Sequence, residues 1–390
     1  MLLLLLVLLQ DGANEARILG SGSDAERWAA VDALAAIGEP ARAAAEKVAD
    51  PWWRGAALAE LDARKAAGEA WSDPVRVTLD VRDRPLREAL LELAAATKLP
   101  VASTAIDRRV TLRLERATWF EALAALAAAA DVDLLLDKEG KYDPQPPEDA
   151  RRFAFARGAL EVSPAELLFV TESTFREPPS AELRVGVRIR GDPSVRLLGV
   201  GEIRIVAAED DTGRSLVPES PLPPDLTARV VRDRAGRGCN VRLGVPAAGA
   251  AAIRRLRGAA RVRVARKTAS VAFHDFAYGK SVEKEAGALK IRMTPRSRRP
   301  DREFSADFTI ESQSPVADWP DSYDFRLADS SGTSWPVRST SRSVSETVAT
   351  YLLSYRNPGG SDGPASLSVA VVVEAYERDL YFEWKGIPLK

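Results

Sequence analysis

Apolar and polar residues alternate from Val75 to Val81 in VRVTLDV, the period of a strand with one buried face. Leu86, Ala89, Leu90, Leu93 and Ala94 then recur at helical spacing and share one face. Pro85 stands in the first turn of that helix, where its missing N–H costs nothing. The apolar run LPVAS follows as a second strand. The same order is then repeated. RVTLRL reads as strand, Trp119, Ala122, Leu123, Leu126 and Ala127 as a helix face, and VDLLLD as the closing strand, with matched positions 33 residues apart. Thr118 and Glu121 have the spacing of a capping box at the start of the second helix. Neither strand–helix–strand unit can bury its stripe alone. Residues 74–138 are therefore predicted to form one small α/β module, its two helices facing each other.

Upstream, residues 17–73 are predicted to be helical. Trp28, Val31, Leu34 and Ile37 share a face, Gly38 and Pro40 stop and restart the chain, and Ala44 and Val48 mark a second helix. Leu58 and Leu61 mark a third after the break at Asp50–Pro51. Downstream, the polar, proline-bearing KEGKYDPQPPEDARR predicts a linker over residues 139–154. Short alternating runs such as ELRVGVRIR, GEIRIVAAED, ARVRVARK and ASVAFHDF then predict an antiparallel β-sandwich over 155–275. ALKIRMT, EFSADFTIES, SLSVAVVVEAY and LYFEWKGIPL predict another over 276–390. Asp210, Gly213 and Ser215 in the first set match Asp329, Gly332 and Ser334 in the second. Either the two sets are copies, or two hairpins use the same favourable turn residues. The fold class is multidomain α+β.

Two stretches resemble known families. The phrases from Val77 to Leu93 and from Val110 to Leu126, each a strand signal followed by Glu-Ala-Leu on a helix, resemble the secretin and TonB short N-terminal (STN) domain. That resemblance implies an envelope setting on the periplasmic side and a module that binds other envelope proteins. It covers about 63 of the 390 residues. Secretins and receptors of that family continue into a pore or barrel. Strands such as LRVGVRIR lack the lipid-facing pattern of an outer-membrane barrel, so the resemblance implies binding, not a channel. In the helical segment, Asp24-x-x-Arg27 returns loosely as Asp50-x-x-x-Arg54, which resembles a short HEAT-like repeat.

The N-terminus MLLLLLVLLQ holds eight consecutive apolar residues after Met1, far short of the ~20 that span a bilayer. Residues 1–16 read as a signal-peptide-like segment without a basic n-region, and export to the periplasm or envelope is expected. The other reading is a buried N-terminal element of a cytosolic scaffold. No Cys follows the run to carry a lipid anchor, and no transmembrane span is expected. The near balance of 55 basic and 56 acidic side chains argues against a dedicated nucleic-acid binder. Cys239 stands alone, so intramolecular disulfides and cysteine-based zinc or iron–sulfur sites are excluded.

Candidate chemistry is sparse. His274 is the only histidine, and Asp275 beside it points to the opposite face of a strand. Glu209, Asp210 and Asp211 are carboxylates at a turn without EF-hand spacing. Gly236 and Gly238 lie in a basic loop that lacks the phosphate-loop pattern. Arg292, Arg296, Arg298, Arg299 and Arg302 form a basic run. Glu374 and Glu377 have nothing to place them across a cleft. Trp319, Tyr323, Phe325 and Trp335, with Tyr381, Phe382 and Trp384, could stack on sugars if exposed and fill a core if not. The expectation is a non-enzyme with no catalytic residue, metal or cofactor, whose partners are envelope proteins. Cell-wall glycan and further copies of the chain are the alternatives.

Overall fold

The computed structural model describes residues 12–68, 76–97, 102–103, 108–136, 141–145, 154–174, 177–192, 195–218, 231–233, 236–274, 276–297, 303–313, 324–357 and 363–389. It is a mixed α and β molecule with several antiparallel sheets. The chain divides into two compact units: Met1–Val264 with Tyr376–Lys390, and Ala265–Ala375. Among the described residues no helix is long and apolar enough to cross a membrane.

The first unit opens with α1 (Ala13–Ser21), α2 (Asp24–Ile37), a 3-10 turn (Glu39–Ala41), α3 (Arg42–Glu46) and α4 (Pro51–Ala67). Ser23 and Glu26 close a capping box on α2, and Gly38 ends it at φ 80°. Asp50 caps α4 by accepting the Trp52 and Trp53 N–H groups, with Pro51 in the first turn. Leu19, Val31, Leu34, Trp53 and Ala57 are buried in the common core. Residues 1–11 of the leader-like segment lie outside the described residues. Residues 13–16, assigned to that segment above, belong to α1, and Ala16 packs on the helical core.

The α/β module comprises β1 (Arg76–Pro85), α5 (Leu86–Thr97), β2 (Ala102–Ser103), β3 (Arg109–Thr118), α6 (Trp119–Ala130), β4 (Asp133–Leu136) and β5 (Lys141–Gln145). β1 and β3 form a two-stranded antiparallel ribbon, and β2, β5 and β4 a separate three-stranded sheet. Val77, Leu79, Val81 and Val110 of the ribbon share one core with Leu86, Ala89, Leu90 and Leu93 of α5 and Ala122, Leu123 and Leu126 of α6. Two expectations need correction. Pro85 is the last residue of β1, not part of the helix. The stretch 139–154 is more than a linker, because β5 lies in it and pairs with both β2 and β4.

The remaining strands are β6 (Phe155–Arg157), β7 (Leu160–Thr174), β8 (Glu177–Gly191), β9 (Leu197–Asp210), β10 (Val231–Asp233), β11 (Gly236–Leu243), β12 (Ala252–Phe273), β13 (Val282–Ala286), β14 (Leu289–Pro295), β15 (Glu303–Ser312), β16 (Asp324–Asp329), β17 (Ser334–Trp335), β18 (Val337–Val344), β19 (Val348–Arg356) and β20 (Pro364–Pro388). ARVRVARK and ASVAFHDF, read above as two strands, belong to β12, and SLSVAVVVEAY and LYFEWKGIPL to β20. No Gly or Pro separates the halves of either, so nothing in the chain makes a turn there. The unit boundaries fall inside these two strands. Residues 376–388 consequently belong to the first unit, where Leu380, Phe382, Trp384 and Ile387 enter its core. A boundary at 275/276 is therefore misplaced.

The two β units repeat one plan. A sheet of order β6-β7-β8-β11-β10 in the first matches β13-β14-β15-β19-β18 in the second, strand for strand in chain order. Each begins with a hairpin closed by Gly-Ala, with Gly158 at φ 59° and Gly287 at φ 61°. The Asp-x-x-Gly turns agree atom for atom. Asp210 Oδ1 accepts from the Thr212 N–H (3.0 Å), the Thr212 hydroxyl (2.6 Å) and the Arg214 N–H (2.9 Å). Asp329 Oδ1 accepts from the Ser331 N–H (2.9 Å), the Ser331 hydroxyl (2.6 Å) and the Thr333 N–H (2.9 Å). Gly213 and Gly332 have φ of 90° and 84°, and Leu216 and Trp335 next enter their respective cores. A turn type alone does not impose the same strand order, so duplication is the better account of the two alternatives.

Two outcomes follow. Leu90→Asp or Leu123→Asp should unfold residues 76–136, since either buries a charge in the shared core; hydrogen exchange reads this directly. The Thr212 hydroxyl, with the N–H groups of Ala247, Arg214 and Thr212, holds the Asp210 carboxyl near about 2. A depressed value means that the stabilisation is complete above the unfolded carboxylate range of about 4 and is lost as pH falls toward about 2. Asp210→Ala should therefore lower the denaturation midpoint at pH 7, and its difference from wild type should shrink steadily through acid denaturation curves.

Candidate interaction surface

The ribbon of β1 and β3 is built on a local twofold axis. Asp80 lies opposite Arg113, its own counterpart in the 33-residue repeat. Asp83 and Arg116, also counterparts, both turn left-handed, at φ 46° and 51°. The Asp83 N–H donates to Thr111 Oγ1 at 2.9 Å, and the Arg116 N–H donates to Thr78 Oγ1 at 3.3 Å. Arg76 donates to the Arg116 carbonyl at 3.1 Å, and Arg109 donates to the Asp83 carbonyl. Three reciprocal pairs of this kind require the same local conformation twice. A left-handed arginine costs roughly 1–2 kcal/mol, and the hydroxyl and guanidinium bonds at Arg116 offset it.

The symmetry is broken in charge. Arg109 sits 2.7 Å from the Asp83 carboxylate and holds it below the usual carboxylate range. At the equivalent place on the other end, Arg76 reaches the Arg116 main-chain carbonyl, and the residue that corresponds to Asp83 is itself an arginine. The exposed positions of the ribbon carry Arg76, Arg82, Arg84, Arg109, Arg113 and Arg116 against Asp80, Asp83 and Glu115. Asp80 pairs with Arg82 at 3.1 Å, Glu115 with Arg113 at 2.9 Å, and Arg84 with Glu92 of α5 at 2.9 Å. Among the described residues no carboxylate forms an ion pair with Arg116, and the Arg76 charge acts at longer range on Asp32 of α2. Both helices cover the opposite face, and neither β1 nor β3 has a second strand neighbour among the described residues. The ribbon thus presents two backbone edges and one basic face.

β6 ties this module and the helices to the first β unit, one residue to each neighbour. The Phe155 ring lies 5.0 Å from Trp28 of α2, and Ala156 packs on the module core. Arg157, 7 % exposed, pairs with Asp32 at 2.8 Å, approaches Glu60 at 4.0 Å and stacks 4.6 Å from the Trp28 ring centroid. Arg378 of β20 reaches the same Glu60 oxygen at 2.7 Å. Trp28, Trp52 and Trp53 meet edge to face, with centroids 4.6 to 5.4 Å apart, and Arg257 of β12 lies 4.4 Å from the Trp52 centroid. This junction was missed in the sequence. Its one signal was Trp52–Trp53, more aromatic area than three short helices can cover.

The residues singled out for chemistry do not converge. His274 is exposed, with Nδ1 3.2 Å from the Ala365 carbonyl, and Asp275 lies outside the described residues. Glu209 pairs with Arg255, Asp211 accepts the Ala251 N–H, and Asp210 is satisfied by its turn and by the Ala247 N–H at 2.8 Å, so the three carboxylates serve separate bonds. Burial pushes the Cys239 thiol up to about 12, leaving no nucleophile there. The side chains around Gly236 and Gly238 lie outside the described residues. Arg292 and Arg296 are paired with Glu283 and Asp307, and Arg298, Arg299 and Arg302 lie outside the described residues. Glu374 lies 3.8 Å from Arg266. Phe325, Trp335, Phe382 and Trp384 are buried in cores and unavailable as sugar platforms, and Trp319 and Tyr323 lie outside the described residues.

No protein-family model matches the chain, and no curated protein does. Among solved structures, one chain titled the crystal structure of the conserved domain protein from Bacillus anthracis is similar at 7% identity, over 62% of this chain and 94% of that chain, with a TM-score of 0.15. So low a score carries no argument about fold or role.

Glu60→Ala should destabilise the first unit by about 3 kcal/mol, because Arg157 and Arg378 stay buried after their shared carboxylate is gone. Equilibrium denaturation followed by tryptophan fluorescence would measure it, since Trp28 and Trp52 border the site.

Proposed function

We propose that this chain is a non-catalytic, exported protein of the bacterial envelope that recognises other envelope proteins through its STN-like module. The observation that carries the reading is the ribbon of β1 and β3, with both outer edges unpaired by any described strand, one face buried under helices and the other basic. An extended segment of a partner can add to such an edge through main-chain hydrogen bonds, with specificity from the side chains beside it. Arg76 and Arg116 favour carboxylates on that partner, because arginines outnumber acids on the exposed face around them. The duplicated strand–helix–strand plan and its local twofold support the STN resemblance, and the apolar N-terminal run supports export. The helical segment, HEAT-like in pattern, and the first of two β-sandwiches serve as the mount that holds the ribbon.

The test is capture from the native envelope with the full-length chain and with Arg76→Glu/Arg116→Glu. Both positions are exposed, and because Arg76 also bonds the Arg116 carbonyl, the thermal unfolding midpoint of the variant is compared with wild type before capture. Proteins held by the wild type and lost at least tenfold by the variant would establish the ribbon as the binding surface. Equal capture by both chains would remove it. Recovery of the endogenous protein from the cytosolic fraction would remove the export part of the proposal independently.

A further inference from the structure

From Leu380 to Lys385 the last strand has one face buried in the β core of the first unit and another, partly exposed, against its helices. Its even-numbered residues Leu380, Phe382 and Trp384 point into the core shared with β8, β9 and β12, and the Trp384 indole N–H donates to the Val162 carbonyl at 3.3 Å. Tyr381, Glu383 and Lys385 point to the helices, while Ile387, past Gly386, returns to the β core. Tyr381 lies 5.9 Å from Trp52, ring to ring, and Lys385 binds Asp24. Glu383 holds Arg257 at 2.9 Å, against the Trp52 ring. Arg378, midway along β20, adds its bond to Glu60 of α4.

Two glycines are cut to fit adjacent residues of this strand. A Cβ on Gly55, in the middle of α4, would come 2.5 Å from the Tyr381 hydroxyl and 3.0 Å from its Cζ. A Cβ on Gly258, in β12, would come 2.6 Å from the Phe382 ring and 3.1 Å from the Arg204 carbonyl oxygen. Neither glycine has a positive φ, so backbone freedom does not explain it. Glycine inside a helix costs about 1 kcal/mol relative to alanine, and inside a strand it forfeits packing. Both are accounted for by the close approach of one strand, from opposite sides.

We propose that residues 376–388 act as a strap. The segment follows the second repeat in the chain, yet it closes the first β unit with one face and pins the helical segment to that unit with the other. The β core and the helices are thereby coupled: loosening the strap's outward face frees α2 and α4 alone, whereas loosening its inward face frees both. The position of the helices is then set by the strap rather than by the chain that joins them to the module.

Full-length variants test this by hydrogen exchange read on separate peptides. Gly55→Ala should raise exchange at least tenfold in residues 24–37 and 51–67 and leave 183–189 and 200–208 as in wild type, although alanine is the better helix former. Adding Tyr381→Phe, which removes the nearest colliding atom, should restore most of the protection. Gly258→Ala should raise exchange in the helices and in 183–189 and 200–208 together, with residues 304–310 and 349–355 of the second unit unchanged as an internal control. Should Gly258→Ala fail to fold, Phe382→Leu loosens the same face and should give the same pattern in weaker form. Helices that keep wild-type protection in Gly55→Ala, or a Gly258→Ala effect confined to the strands, would overturn the strap. So would opening of 304–310 alongside the first unit.

Discussion

Everything in the first unit leans on one buried carboxylate. Glu60 is 8 % exposed and lies between Arg378 at 2.7 Å and Arg157 at 4.0 Å, so an acid from α4 answers two cations that come from strands far apart in sequence. A carboxylate and a guanidinium each lose several kcal/mol on leaving water, and close pairing is the condition for having them inside at all. That condition fixes geometry. The helix must present Glu60 at one height, and β6 and β20 must bring their arginines to it. An apolar contact of equal area would tolerate sliding. The surrounding indoles add area, and Arg157, Arg257 and Arg27 over their faces add direction. The pairing therefore selects one arrangement more than it adds stability.

Local periodicity made most elements readable. The α2 stripe, the stop at Gly38 and the capping box at Thr118 appear where the residues place them, because a helix end is decided by three or four neighbours. Alternation in VRVTLDV identified Val77 and Leu79 as buried, and they are. Strand partnership was not readable in the same way. Alternation says which face is buried but not what lies beside an edge, so the neighbours of β12 and β20 could not be read from either strand alone. Length failed for a related reason. The polar residues Glu377–Arg378–Asp379 look like a break between two short strands, yet they answer Arg261 and Glu60 across a junction that does not exist until the chain has folded.

The candidate surface shows the same division. Its duplication was legible at once, since matched residues 33 apart need no structure to be seen. What the repeat does with its charges was not. Asp83 and Arg116 occupy equivalent left-handed positions, and only the antiparallel register of β1 and β3 brings Arg109 to the first and Arg76 to the second. A sequence comparison of the two halves records an Asp-to-Arg difference and stops there. The pairing turns that difference into an ion pair at one end of the ribbon and, at the other, into an arginine bonded to the Arg116 main-chain carbonyl.

Duplication appears at two scales in this chain, and the two copies are joined differently each time. In the small module the halves share one core and lie about a twofold axis, which is how two stripes too small to stand alone become one that can. In the larger repeat each copy has its own core, and a boundary at the hairpins would have left two independent domains. Placing the boundaries inside β12 and β20 does otherwise. A strand that ends in the first unit after beginning in the second cannot be ordered along its length until both cores have formed, since each half is anchored by residues of a different core: Val369 and Val371 in one, Phe382 and Trp384 in the other. Nonlocal closure of that kind slows folding, because the chain between must be confined before the contacts that reward it exist. The helical segment is held by the half of β20 anchored in the first core, so its attachment depends on residues that follow the second repeat in the chain.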